Sequence, residues 1–262
     1  MASKKMALIT GASSGIGREL ACIHAERGGD LVIVARREEK LNELKKELES
    51  KHGVDVTVIT KDLATADGPK ELYDEVQAAG IRVDYLINNA GFGGGGKFHE
   101  RPWEQDLKMI NLNVVALAAL TRLYVPDFVE RNEGRVLNIS SVASLMPGPL
   151  QATYFATKAF VTSFSNALAD ELSDTKVTVT ALLPGATETE FGSASGMDKT
   201  NLFKNAASVR PVCEDGYNAM LAGKLNVISG VSFFQKVLMK LSPLLPRRAV
   251  MKEVRKVQER KQ

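Results

Sequence analysis

Tyr154 and Lys158 stand four residues apart in the run Thr153-Tyr-Phe-Ala-Thr-Lys158. On a helix that spacing puts both side chains on one face. An ammonium held beside a phenol favours the phenolate, so the pair predicts a Tyr154 pKa below its reference of about 10. Such a phenol is a proton donor usable near neutral pH. Ser141 lies thirteen residues before Tyr154, and the Pro147-Gly148-Pro149 loop can return its hydroxyl to the phenol. Ser141 would then bind the oxygen of a carbonyl that Tyr154 protonates. The plain alternative is a core tyrosine with a solvated lysine. Tyr-x-x-x-Lys alone would favour that alternative, and the rest of the chain reverses the balance.

A second constellation opens the chain. Thr10-Gly11-Ala12-Ser13-Ser14-Gly15-Ile16-Gly17 sits between a short apolar run and a helical pattern. Glycines there allow a tight turn and close backbone approach to a pyrophosphate, which the N–H groups and dipole of the following helix attract. The spacing is Gly-x-x-x-Gly-x-Gly rather than the commoner Gly-x-Gly-x-x-Gly. The next strand ends Ala35-Arg36-Arg37, with no acid to bind ribose hydroxyls. A 2′-phosphate can sit between the guanidinium groups, with charged hydrogen bonds contributing roughly 1.5–3 kcal/mol each. The expected cofactor is NADP(H), with Arg36 the stronger candidate. Arg37 also fits a surface arginine opening a charged helix.

These residues need elements to hold them. Strand-like runs are expected at Met6–Thr10, Leu31–Ala35, Val54–Thr60, Tyr85–Ile87, Val136–Ser140, Val177–Leu183 and near Asn226–Ser229. Helical patterns cover Ile16–Arg27, Glu38–Lys51, Pro69–Ala79, Trp103–Glu130, Tyr154–Leu172 and Cys213–Ala222. The strands are short, apolar and often β-branched, as strands covered on both faces should be. Repeated β-helix-β units give a parallel sheet with right-handed crossovers, so the fold class is α/β, a doubly wound parallel sheet of Rossmann type. We read residues 1–262 as one domain, with a substrate lid over 191–223 and a C-terminal helical extension over 231–262. The apolar residues of Phe233–Leu241 fall at helical spacing, and Arg247–Lys261 is a basic, helical tail. Packing on the domain or on a second subunit is expected for these pieces, ahead of a membrane-surface role.

Composition bounds the rest. The chain has 262 residues, 44% hydrophobic and 25% charged, long enough for a sizeable core. A formal charge of +3 is too small to argue for nucleic acid. Cys22 and Cys213 form no metal or redox motif and read as buried thiols in a reducing compartment. The apolar run after Lys4-Lys5 is too short for a signal peptide, and no uninterrupted apolar run reaches the roughly 18 residues of a membrane span. A cytoplasmic protein without membrane association is expected.

With these motifs in order, the chain resembles the short-chain dehydrogenase/reductase family, in its single-domain branch. The resemblance covers about Lys5 to Phe191. It rests on the Gly11–Gly17 turn, Asp62 after the third strand, Asn88-Asn89-Ala90-Gly91, Asn113, Ser141, Tyr154, Lys158 and Pro184-Gly185. The resemblance implies a set of roles. Asp62 would accept from the adenine amino group, with Leu63 against the ring. Asn88 would tie neighbouring strands, and Asn89, Ala90 and Gly91 would lie along the cofactor ribose. Lys158 would bind the nicotinamide ribose and tune Tyr154, while Pro184, Gly185, Thr187 and Thr189 would hold the carboxamide end. Asn113 would hold a water through which Tyr154 is reprotonated. Asn111 competes for that role; the Val-Val-Ala after Asn113 suits the family's small residue three positions on. Likewise the spacing to Tyr154 selects Ser141 over Ser140.

The implied activity is NADPH-dependent reduction of a small-molecule carbonyl, or oxidation of the alcohol in reverse. Two other functions compete: a non-catalytic NADP(H)-binding regulatory or scaffold protein, and a sugar-nucleotide epimerase or dehydratase. The full Ser141, Tyr154, Lys158 and Asn113 set argues against the first, and the short C-terminal part against the second. The substrate wall is expected from 93–98, 144–150 and 191–209, with Phe98, Leu145, Met146, Leu150, Phe191, Leu202 and Phe203 its apolar members. An apolar ketone, an oxoacyl thioester or a steroid-like molecule would each suit it. The resemblance further implies a homodimer or homotetramer through the Trp103 and Tyr154 helices.

Overall fold

The structure, a computed structural model, describes residues 4–194, 206–241 and 245–259. Seven parallel strands form one sheet in the order β3-β2-β1-β4-β5-β6-β7. They are β1 (Met6–Thr10), β2 (Asp30–Ala35), β3 (Val56–Thr60), β4 (Tyr85–Asn88), β5 (Gly134–Ile139), β6 (Val177–Pro184) and β7 (Asn226–Ser229). The order reverses at β1, whose neighbours are β2 and β4. Helices diverge to opposite faces there, and the carboxyl ends of the strands open a crevice.

Alternate residues of each strand feed separate cores, as the two-residue period of a strand requires. Ala7, Ile9, Leu31, Ile33 and Leu182 pack beneath α1 (Gly15–Glu26), α2 (Glu38–His52) and α8 (Val209–Leu221). Leu8, Val32, Val34, Leu86 and Val136 pack on the other face with α3 (Gly68–Ala78) and α5 (Leu117–Glu130). Both cysteines are buried free thiols.

The helix expected over Trp103–Glu130 is interrupted. α4 (Trp103–Ile110) passes through a π-turn, Asn111–Ala116, into α5. Such an insertion widens one turn and re-aims its side chains. By length and composition this stretch could cross a membrane, but Leu120, Tyr124 and Phe128 are buried against the sheet. A short 3₁₀ turn, Val142–Leu145, leads into α6 (Ala152–Glu171). Of the candidate lid, the structure describes the single turn α7 (Phe191–Ala194) and α8; Leu202 and Phe203 lie outside the described residues. α9 (Phe233–Leu241) and α10 (Arg247–Gln258) complete the described chain.

Candidate active site

The end of β5, the π-turn and the first turns of α6 bring four predicted residues together. Ser141 caps the 3₁₀ turn, its Oγ accepting the Ala143 N–H at 3.1 Å, and it also hydrogen-bonds Tyr154. Ser140 has a different task. Its hydroxyl is bound to the Lys158 carbonyl at 3.0 Å and to Thr162 Oγ1 at 2.6 Å, a clasp between β5 and α6. The distinction drawn from spacing between the two serines therefore has a structural counterpart.

Asn113 sits in the π-turn and is 1% exposed. Its Oδ1 accepts the Phe92 N–H at 3.1 Å, and its Nδ2 donates to the Phe92 carbonyl at 3.0 Å and to Thr157 Oγ1 at 3.1 Å. Thr157 in turn donates to the Tyr154 carbonyl at 2.7 Å. Asn113 thus pins the loop after β4 to the first turn of α6. Asn111 begins the π-turn and is only partly buried.

Lys158 is 6% exposed, and its ammonium donates to the Ile139 carbonyl at 2.7 Å. A methyl group on Gly91 would lie 3.0 Å from Asn113 Oδ1 and 3.6 Å from Lys158 Nζ. Glycine leaves that space open, beside both groups.

The expected lowering of the Tyr154 pKa is not found in the protein without ligands. Burial pushes the phenol up to about 12, and the Ser141 hydrogen bond only partly offsets it. Burial also brings Lys158 down to about 8. The reason is geometric: the Lys158 ammonium is tied to Ile139 and lies 6.0 Å from the Tyr154 ring centroid.

The glycine turn is braced from β4. Asn89 Nδ2 donates to the Thr10 carbonyl at 2.9 Å and the Gly11 carbonyl at 3.2 Å, while Thr10 Oγ1 accepts the N–H groups of Asn89 and Ala90 at 3.0 Å. Asn89 therefore acts through the turn. Gly11 has φ +68 and Gly15 φ +55, backbone that favours glycine. A methyl group at Gly17 would overlap both Asn89 Nδ2 and the Gly11 carbonyl. Ile16 packs on the core, and Ser14, in extended conformation, immediately precedes α1. This cradle, filled by any side chain larger than hydrogen, fits a pyrophosphate at the helix terminus.

The adenosine end carries the arginines. Asp62 accepts the Ala64 N–H at 3.1 Å and Lys108 Nζ at 3.2 Å, with Arg36 Nη1 3.9 Å away. Burial opposes its ionisation, but the Ala64 amide and the two cations outweigh it and hold its pKa low. Leu63 is buried in the core with Val34 and Ile59. Arg37 donates to Ser13 Oγ at 3.0 Å and to Glu190 at 2.8 Å, whereas Arg36 is exposed and, among the described residues, makes a loose contact with Asp62. A cleft of about 480 Å³ opens between Ser13, Ser14, Arg18, Lys40 and Glu190.

Sequence reasoning missed Glu190 as a site residue and took Phe191 only as wall. The Phe191 ring lies 5.5 Å from that of Tyr154, and Gly93 makes room for it. The residues leading to it follow Pro184-Gly185: Thr187 donates to the Gly185 carbonyl at 3.0 Å, and Thr189 packs where a side chain on Gly15 would project. No periodicity marks such a loop, so its partners were not legible. Phe98 lines an apolar depression of about 520 Å³ with Trp103, Ile110, Val114, Thr153 and Ala156.

The family model of the short chain dehydrogenases matches residues 5–200. A short chain dehydrogenase of Pseudocercospora fijiensis, MYCFIDRAFT_6125, is 35% identical over 212 residues, 80% of this chain and 66% of that one. The very-long-chain 3-oxoacyl-CoA reductase of Homo sapiens is 35% identical over 184 residues, 68% of this chain. The chain spans only 58% of that reductase's length. Among solved structures, a short-chain dehydrogenase from Sphingobium yanoikuyae in complex with NADPH superposes with a TM-score of 0.83 at 32% identity, covering 97% of this chain and 98% of that one. With the Tyr154 site, the glycine cradle and the seven-stranded parallel sheet, these likenesses show that the chain is an oxidoreductase of the short-chain dehydrogenase/reductase family.

Proposed function

We propose that this protein is an NADP(H)-dependent carbonyl reductase, working in reverse as an alcohol dehydrogenase. The observation that carries the reading is the meeting of Ser141, Tyr154, Lys158 and Asn113 at the carboxyl ends of β4 and β5. Bound NADPH supplies the hydride. Tyr154 holds its proton firmly at neutral pH and releases it only as charge develops on the carbonyl oxygen. Ser141, already hydrogen-bonded to the phenol, steadies that oxygen. Lys158 is mostly charged at neutral pH, and its ammonium has two protons left after the bond to Ile139. Turned towards the site, it stabilises the Tyr154 phenolate. The space at Gly91, between Asn113 Oδ1 and Lys158, suits a water that returns the proton.

Three residues support the choice of NADP(H). Ala35 ends β2 without an acid, Arg36 is exposed there, and Arg37 reaches Ser13. The Gly11–Gly17 cradle would hold the pyrophosphate, and Lys158 the nicotinamide ribose. The 3-oxoacyl thioester named for the human relative joins apolar ketones and steroid-like carbonyls as a candidate substrate. A homodimer or homotetramer is part of this reading, supported by exposed Trp103, Val115 and Phe160 on the α4–α6 face.

The test is a titration with NADPH and NADH, followed by a panel of these carbonyls with wild type and Tyr154→Phe. Tighter binding of NADPH, turnover by wild type, and a loss of about 10²–10⁴ in the variant with NADPH affinity kept are expected. A variant as fast as wild type would refute the role of Tyr154. Binding without turnover on the whole panel would favour the regulatory or scaffold reading instead.

A further inference from the structure

We propose that α9 and α10 form a docking face for an anionic membrane surface. The inference does not depend on the substrate or cofactor assigned above. It begins with exposure. Phe233 and Phe234 are 83% and 75% exposed, more than any other large apolar side chain among the described residues. With Val237, Leu238 and Leu241, each about half exposed, they form one stripe along α9. Met239, on the other side of the helix, is partly buried. The sequence pattern predicts packing on the domain or on a second subunit. The structure seats the helix by its opposite side and turns the stripe outwards.

α10, next in the chain, carries charge. Val250, Met251, Val254 and Gln258 turn inwards, and Arg247, Arg248, Lys252 and Arg255 outwards. Among the described residues, those four cations have no carboxylate within ion-pair distance. Residues 231–262 hold nine Lys and Arg against two Asp and Glu, a charge of +7. The chain as a whole is +3, so the other 230 residues carry −4. An exposed apolar stripe flanked by cations is the pattern of a helix lying in a lipid interface.

Charge also selects among occupants. A symmetric contact between two copies would set the same +7 segments against each other, which repels. Nucleic acid would answer the cations and could stack on the rings, but it would leave Val237, Leu238 and Leu241 in water. An anionic bilayer answers both, taking the rings into the acyl boundary and the guanidinium groups at the phosphates. The face is also anchored to the catalytic loop. α9 packs beside the Val142–Leu145 turn, and buried Gln258 hydrogen-bonds buried Gln151, three residues before Tyr154.

The experiment is flotation of the full chain with phosphatidylcholine vesicles, with and without phosphatidylglycerol, at low and high salt. Wild type should float with the anionic vesicles and be released by salt. Arg247→Gln/Arg248→Gln should weaken binding about thirtyfold, at roughly fivefold for each cation near the surface. Phe233→Ser/Phe234→Ser should weaken it at least about tenfold. Both variants should melt and bind NADPH as wild type does, which shows them folded. Failure of wild type to float with anionic vesicles at low salt would overturn the proposal. So would binding by both variants as strong as that of wild type, or a wild-type oligomer that Phe233→Ser/Phe234→Ser converts to monomers, since a second copy would then cover the stripe.

Discussion

Lys158→Met should change the pH dependence of stability in a direction fixed by burial. Burial lowers the folded pKa of Lys158 to about 8 from its ordinary 10.5. The unfolded chain therefore binds more protons than the folded chain between those values, and stability rises with pH across that window. The penalty of burying the ammonium is full below about pH 8 and is relieved as pH approaches the unfolded value. Applied to these two pKa values, the linkage relation gives wild type about 2 kcal/mol of stability, relative to the variant, from about pH 7 to about pH 9.5. The bond from Nζ to the Ile139 carbonyl survives in the neutral amine, so it contributes little to this difference. Urea unfolding of both proteins at the two pH values, without nucleotide, measures the quantity directly. A stability difference that is the same at both would refute a buried, destabilised ammonium. The variant should also lose turnover at both pH values.

Two further outcomes concern the nucleotide site. Gly17→Ala drives a methyl group into Asn89 Nδ2 and the Gly11 carbonyl, breaking the two Asn89 bonds that brace the turn. Lost hydrogen bonds of about 0.5–1.5 kcal/mol each, with overpacking of about 1–3 kcal/mol, should weaken NADPH binding at least tenfold by fluorescence titration. Gly28→Ala, at φ +77 with open space around it, should leave binding unchanged. Glu190→Gln frees Arg37 from its exposed ion pair and removes a negative charge beside Ser13 and Ser14. It should tighten NADPH severalfold and NADH hardly at all, and equal effects on both would show that Arg37 does not meet the 2′-phosphate.

The alternating apolar runs, the glycines before the first helix and the four-residue step from Tyr154 to Lys158 are local features. Their consequences follow from the periods of strand and helix, so the doubly wound sheet and the two halves of the site were legible in order along the chain. The thirteen-residue step also separated Ser141 from Ser140, which proved to be a clasp on Lys158 and Thr162. What depended on distance in space was not legible. The π-turn brings the Asn113 amide to Phe92 and Thr157, 21 and 44 residues away. The Lys158 ammonium donates to the Ile139 carbonyl, and burial moves the Tyr154 pKa up and not down. Glu190 meets Arg37 across 153 residues of chain. The amphipathic pattern of α9 was likewise clear in the sequence, but only tertiary packing decided which side met the protein. A helical period fixes which residues share a face; the surroundings of that face fix whether it is core or surface.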